Sequence, residues 1–194
     1  MIKRINTAQP KPSTDYEKLG NGQFEGRLVY IADLGLQEGM TWQGEKKPDR
    51  QQLALGIEIV GNHVTIDDVE RPRILWTKPF NTFSTLTAKG KETEIYKAFD
   101  PTASEKDDCD WESLLGTPCT VIVEAVTSKD GSKTFDNIKA LTSIPEKYQK
   151  DVPAAELEFG VGDHTDEDNA VNKCLFGLAK YVFDKRIDET DVPF

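Results

Sequence analysis

Cysteine is scarce and odd in number. Cys109, Cys119 and Cys174 cannot all pair, and none stands two or three residues from another, so reduced thiols are expected rather than a disulfide framework or a paired-thiolate metal site. Histidine is scarcer still, and His63 and His164 lie so far apart that each reads as a hairpin or loop residue, not a ligand. No apolar run approaches the roughly 20 residues a membrane span needs, and the start Met1-Ile2-Lys3-Arg4 lacks the apolar block of a secretion signal. A cytoplasmic protein without a membrane partner is expected. Enzyme signatures are missing as well: no G-x-x-x-x-G-K-[ST] loop, no G-x-G-x-x-G after a strand, no H-E-x-x-H and no C-x-x-C. The acids Asp163, Asp166, Glu167 and Asp168 lack the ordered spacing of a calcium loop and read as favourable charge at a helix N-terminus. These absences argue against an enzyme, a metal and a cofactor.

What is present is a chain of 194 residues, 37% apolar and 30% charged, without an internal repeat, enough for one main domain and an appended tail. The net charge of −10 opposes a polyanionic ligand, because phosphate binding is driven by lysines and arginines that release counterions. Its distribution matters more than its sum. Residues 151–194 carry 11 acidic and 4 basic side chains, seven of the ten excess negative charges, whereas residues 1–100 carry 14 of each sign.

The pattern divides the chain into an irregular arm over residues 1–22, a folded domain over 23–150, an acidic segment with an amphipathic helix over 151–187, and an acidic tip over 188–194. Period-two alternation predicts a strand over 24–34 and a second over 53–59, followed by a tight turn at Gly61-Asn62 into His63, Val64, Thr65 and Ile66. A third β-rich run covers 73–80, with Pro79 at its end. Ile95, Tyr96 and Phe99 suit a helix within 86–99, and 110–115 a short helical turn closed by Gly116, with Trp111 in the core. Strands over 119–125 and 134–141 flank the turn Lys129-Asp130-Gly131-Ser132. Val171, Cys174, Leu175, Leu178 and Val182 predict one amphipathic helix over 169–185. Five strands with a helix between the third and fourth are the order of an OB-fold, a mainly β, five-stranded Greek-key barrel that commonly binds oligonucleotides.

Residues 71–91 hold Arg71, Arg73, Lys78, Lys89 and Lys91 without an acid, and Trp76, Phe80 and Phe83 stand among them. Aromatic faces stack on any unpaired base at about 1–3 kcal/mol each while cations track the phosphates, so single strands bind without sequence readout. Arg27, Tyr30, Trp42, Lys46, Lys47 and Arg50 extend this candidate surface for single-stranded DNA. The competing assignment is that Trp76 and one phenylalanine are core and the cations solvate a sheet edge.

Asp188, Glu189 and Asp191 precede Val192, Pro193 and Phe194. A phenylalanine anchor fills an apolar pocket while upstream acids steer toward basic partners. This tip resembles the acidic tips of bacterial and phage single-stranded DNA-binding proteins. Together with the basic-aromatic strands, the chain resembles the single-stranded DNA-binding proteins of tailed bacteriophages. The resemblance implies a non-enzymatic protein of the host-cell cytoplasm that coats single strands during replication, recombination or repair. It also implies recruitment of a polymerase, helicase or nuclease through the tip, and self-association. A protein-interaction adaptor or DNA mimic on an OB-like barrel is the alternative, and a small nuclease using the acidic cluster a weaker one.

Overall fold

The computed structural model describes residues 17–66 and 68–187, with Trp42 described in its backbone alone. Strand β1 (Gly22–Gln37) is followed by a small hairpin of β2 (Thr41–Trp42) and β3 (Glu45–Lys46), then by β4 (Arg50–Ile66), β5 (Val69–Trp76) and the short β6 (Phe80–Asn81). Helix α1 (Lys91–Tyr96) and a 3-10 turn at Glu112–Leu114 precede β7 (Pro118–Thr127) and β8 (Thr134–Ser143). The remainder holds α2 (Glu146–Gln149), β9 (Gly160–Gly162), α3 (Ala170–Lys173) and α4 (Gly177–Phe183).

The chain is mainly β. One sheet runs β5-β4-β1-β7-β8 with every neighbouring pair antiparallel, β6 adds to β4, and β9 lies parallel to β1. Alternation along β4 explains its inner face: Leu53, Leu55, Ile57 and Ile59 pack with Leu28, Ile31, Val121 and Val123, and Ile95, Tyr96, Phe99 and Trp111 join the same core. The opposite face of β1 and β4 is buried too. Ala32, Leu34 and Ala54 pack against Val171, Leu175, Ala179 and Phe183, so the C-terminal segment lies as a strap across the outside of the sheet.

Polar side chains pin that strap. Glu58, fully buried in β4, accepts the backbone N–H groups of Glu156 and Leu157 at 2.9 and 3.0 Å. Asp33 meets His164 at 2.6 Å, and the Ile187 N–H donates to the Leu36 carbonyl at 2.8 Å. Arg27 donates to the carbonyls of Gly116, Val152 and Pro153 at 2.6 to 2.7 Å.

The sheet remains open, since no strand pairing joins its edges β5 and β8 among the described residues. Side chains bridge the gap instead. Buried Arg73 of β5 places Nη1 3.6 Å from Oδ2 of buried Asp136 of β8, and Asp136 also accepts the N–H groups of Leu19 and Gly20 at 2.8 and 3.1 Å. Arg73 further donates to Asn62 Oδ1 at 2.7 Å.

Several sequence expectations change. Gly61-Asn62 does not turn the chain: β4 continues through it to Ile66, with a register shift between Glu58 and His63 where Gly61 takes a φ of 68°. A left-handed glycine at such a point makes a bulge and keeps the strand running. The helix expected within 86–99 is confined to α1, with Gly90 at its N-cap. The single helix expected over 169–185 is broken, because Phe176 is extended and Gly177 has a φ of 59°. The buried stripe is therefore Val171, Leu175, Ala179 and Phe183, while Cys174 and Leu178 are exposed. The acids Asp163 and Asp166 cap turns of the preceding loop through backbone N–H groups. All three cysteines are free, Trp111 is in the core, and no helix among the described residues is long and apolar enough to cross a membrane.

Removing one partner of a buried pair leaves the other charge uncompensated, so Asp136→Ala is expected to cost about 3 kcal/mol or more. Urea unfolding monitored by circular dichroism checks this, and a loss below about 1 kcal/mol would show that the bridge is not holding the seam. Burial, with the Glu92 charge adding to it at Cys109, pushes the thiols of Cys109 and Cys119 up to about 12. Iodoacetamide at about pH 8 should therefore label exposed Cys174 well ahead of these two in the folded protein, as peptide mass mapping would read.

Candidate nucleic-acid interface

One end of the sheet is built where β1 passes to β4. Gln37 is opposite Arg50 and Leu36 opposite Gln51, so the intervening hairpin projects from this end. Its turn has positive φ at both central residues, Gln43 at 52° and Gly44 at 83°, as a two-residue hairpin requires. Lys46 and Lys47 stand exposed on it, 3.0 Å from Glu38 and 3.9 Å from Glu45.

The same end receives the loop after β6. Gln52 donates to Asn81 at 2.9 Å and the Thr82 N–H to the Gln51 carbonyl at 3.0 Å. This brings Phe83 beside the start of β4, where the Arg50 guanidinium carbon lies 5.5 Å from the ring centroid. The ring remains accessible, with Phe83 39% exposed. Behind it, the buried carboxylate of Glu92 on α1 accepts the Phe83 N–H at 3.0 Å, the Thr82 hydroxyl at 2.5 Å and the Trp111 Nε1–H at 3.1 Å. Arg50 and Phe83 thus form a cation and ring pair on a rigid support.

Tyr30 and Trp76 form a second group. Both are opposite Gly56 across the sheet, and their rings stack at 6.2 Å and 21°. A side chain at position 56 would meet Tyr30 Cβ at 3.0 Å and the Trp76 ring at 3.2 Å, so glycine lets the two rings close over the strand. Both are half-buried beside the strap, and burial raises the Tyr30 hydroxyl above its ordinary value.

Lys78 and Lys91 border a cleft of about 270 Å³ floored by Ile95, Ile138 and Leu141. Lys139 stands on the facing rim, at the register shift between Ile122 and Val123. It was not among the sequence candidates, and alternation toward the open edge was its only signal. Lys91 is 2.8 Å from Glu94 and Lys139 3.4 Å from Glu124, whereas Lys78 has no ion pair among the described residues.

The remaining candidates divide by burial. Arg27 has its guanidinium taken up by three carbonyls, Arg73 belongs to the seam, and Phe80 is in the core 5.6 Å from Trp111. These three hold the fold in place of a ligand surface, Arg73 and Phe80 at inward-facing positions and Arg27 on the outer face under the Val152 and Pro153 carbonyls. Arg71 and Lys89 are exposed. The Trp42 side chain and Asp188, Glu189, Asp191, Val192, Pro193 and Phe194 lie outside the described residues. The last described residue, Ile187, is bonded to Leu36, near the end that carries Arg50 and the hairpin.

No protein-family model matches the chain, and no curated protein is significantly similar to it.

Gly56→Val is expected to splay the Tyr30–Trp76 pair, since its Cβ and branches occupy the space into which the rings close. A changed near-ultraviolet circular dichroism spectrum with an unchanged far-ultraviolet one would report it, and identical near-ultraviolet spectra would deny the contact.

Proposed function

We propose that this protein binds single-stranded DNA without sequence preference and without catalysis, using an OB-type β domain whose basic and aromatic end meets the strand. The observation that carries the proposal is the exposed Phe83 ring with the Arg50 guanidinium above it, held from behind by Glu92. A fixed ring gives a base a stacking face at little ordering cost, and a neighbouring cation serves the adjoining phosphate. Lys46 and Lys47 on the hairpin extend the cationic track at the same end, and Tyr30, Trp76, Lys78, Lys89, Lys91 and Arg71 add further rings and charges. The OB assignment is supported by the strand order β5-β4-β1-β7-β8 with α1 between the third and fourth long strands, although the seam is bridged by side chains.

The acidic tip is the proposed docking segment for a replication, recombination or repair protein in the cytoplasm, as the resemblance to phage proteins implies. The bond of Ile187 to Leu36, near Arg50, supports a second role for this segment, intramolecular competition with DNA. A short tether gives such a polyanion an effective concentration on the order of millimolar.

Two measurements test the proposal. Phe83→Ala is expected to weaken binding of a fluorescent oligo(dT) by about 1–3 kcal/mol, with Arg50→Ala adding a smaller loss and a shallower salt slope. If folded Phe83→Ala and Arg50→Ala proteins bind like the parent, or if a duplex of equal length binds as well, the interface is misassigned. Deleting residues 188–194 is expected to tighten oligo(dT) binding, most at low salt where the competing attraction is least screened. Unchanged affinity in the deletion would remove the competitive role of the tip while leaving the strand-binding surface standing.

A further inference from the structure

Glu92 is a carboxylate in an unusual place. It lies in the first turn of α1 at 3% exposure, next to a core of aromatic and aliphatic side chains. Burying a carboxylate is costly unless hydrogen bonds replace its water, and a neutral side chain of the same volume would fill the space without that cost. Its two oxygens are accordingly filled. Oε1 accepts from the Thr82 hydroxyl and the Trp111 indole at 2.5 and 3.1 Å, and Oε2 accepts from the Phe83 N–H at 3.0 Å.

These donors come from separate stretches of chain, the loop after β6 and the segment leading into β7. Trp111 needs no carboxylate to be fixed, because Tyr96 at 4.9 Å and Phe80 at 5.6 Å already enclose its ring. The loop is different. Residues 82 and 83 leave the sheet after the two residues of β6, and one backbone bond, from Thr82 to Gln51, returns the loop to β4. Further on, Ser84, Thr85 and Leu86 are tied to residues 106–109, and the side-chain bonds that reach residues 82 and 83 themselves both end on Glu92. One of them holds the main chain of Phe83 itself, the residue whose ring lies under Arg50.

We infer that Glu92 is a positioning residue for nucleic-acid binding: its buried carboxylate fixes the backbone of Phe83 so that the ring is presented outward as a preformed base-stacking face. The inference rests on the proposal that Phe83 stacks on bases. A loop ring that must be ordered on binding loses affinity to that ordering, and a ring already ordered does not.

The test compares oligo(dT) binding of the full-length parent, Glu92→Gln, Phe83→Ala and the double variant by fluorescence anisotropy over a range of salt. Glutamine keeps the volume but supplies one acceptor oxygen and turns an amide donor toward donors. Glu92→Gln is expected to weaken binding about fivefold to tenfold, by loss of the preformed stacking face, with the salt slope unchanged because phosphate contacts remain. The double variant should bind no more weakly than Phe83→Ala alone, since both changes remove one contribution. The Phe83 amide proton should move upfield in a nitrogen-proton correlation spectrum, as it loses a charged acceptor. Parent-like affinity of Glu92→Gln, or losses that multiply in the double variant, would overturn the inference while leaving Phe83 as a contact. An unaffected Phe83→Ala would instead overturn the interface on which it rests. Should Glu92→Gln fail to fold, Thr82→Val carries the same comparison. It removes one of the two loop bonds, with a loss of about twofold to threefold expected, absent in the Phe83→Ala background. Parent-like affinity of folded Thr82→Val would then reject the positioning role.

Discussion

The buried ion pair between Arg73 and Asp136 is the constraint on which the rest of the architecture depends. The sheet curls without closing, so its edge strands β5 and β8 face one another with no backbone bonds between them among the described residues. A seam of unpaired strand edges is normally a liability, open to slippage and to pairing with other chains. Here one guanidinium and one carboxylate, both shielded from water, fix the separation of the edges, and the carboxylate gathers the amides of Leu19 and Gly20 where the chain enters β1. Leu19 packs on the inner core as a consequence. The separation set in this way also sets the cleft between β8 and α1, with Lys78, Lys91 and Lys139 around it.

A second constraint operates on the outer face. Residues after α2 are rich in acid, and they cover a sheet face that mixes small apolar side chains with Arg27, Asp33 and Glu58. The apolar part is modest: Ala32, Leu34 and Ala54 against Val171, Leu175, Ala179 and Phe183. Register comes from polar groups whose partners are backbone, notably Glu58 with two strap amides and Arg27 with three carbonyls. Directional bonds of this kind fix where the strap lies, and apolar contact fixes that it lies down at all. Arg27 is thereby removed from the surface available to a polyanion.

Most of β1, β7 and β8 and the first part of β4 were legible from alternation, and so were the core position of Trp111 and the reduced cysteines, because each depends on local pattern; the short β2, β3 and β9 were not. Three further features were not. Gly61 and Gly177 both take left-handed conformations, but one bulges a strand and the other breaks a helix, and nothing in the adjacent sequence separates a glycine that turns a chain from one that bends it. Arg73 and Phe80 alternate as sheet residues do, and which face is inward depends on partners distant in the chain. Glu92 looked like an ordinary helix acid, and its burial follows from three donors that only the fold brings to it. The basic and aromatic composition of residues 71–91 therefore identified a segment, part of which is structural and part of which reaches the surface.

That division bears on how an acidic chain can present a surface to a polyanion. Arg27 and Arg73 are held within the fold by carbonyls and a carboxylate. Among the cations that stay exposed are Arg50, Lys46 and Lys47 at the hairpin end, with Glu38, Glu45 and Asp49 beside them, and Lys78, Lys91 and Lys139 around the seam cleft. Over distances beyond about 10 Å at moderate salt, screening makes the local sign of charge count for more than the total of −10.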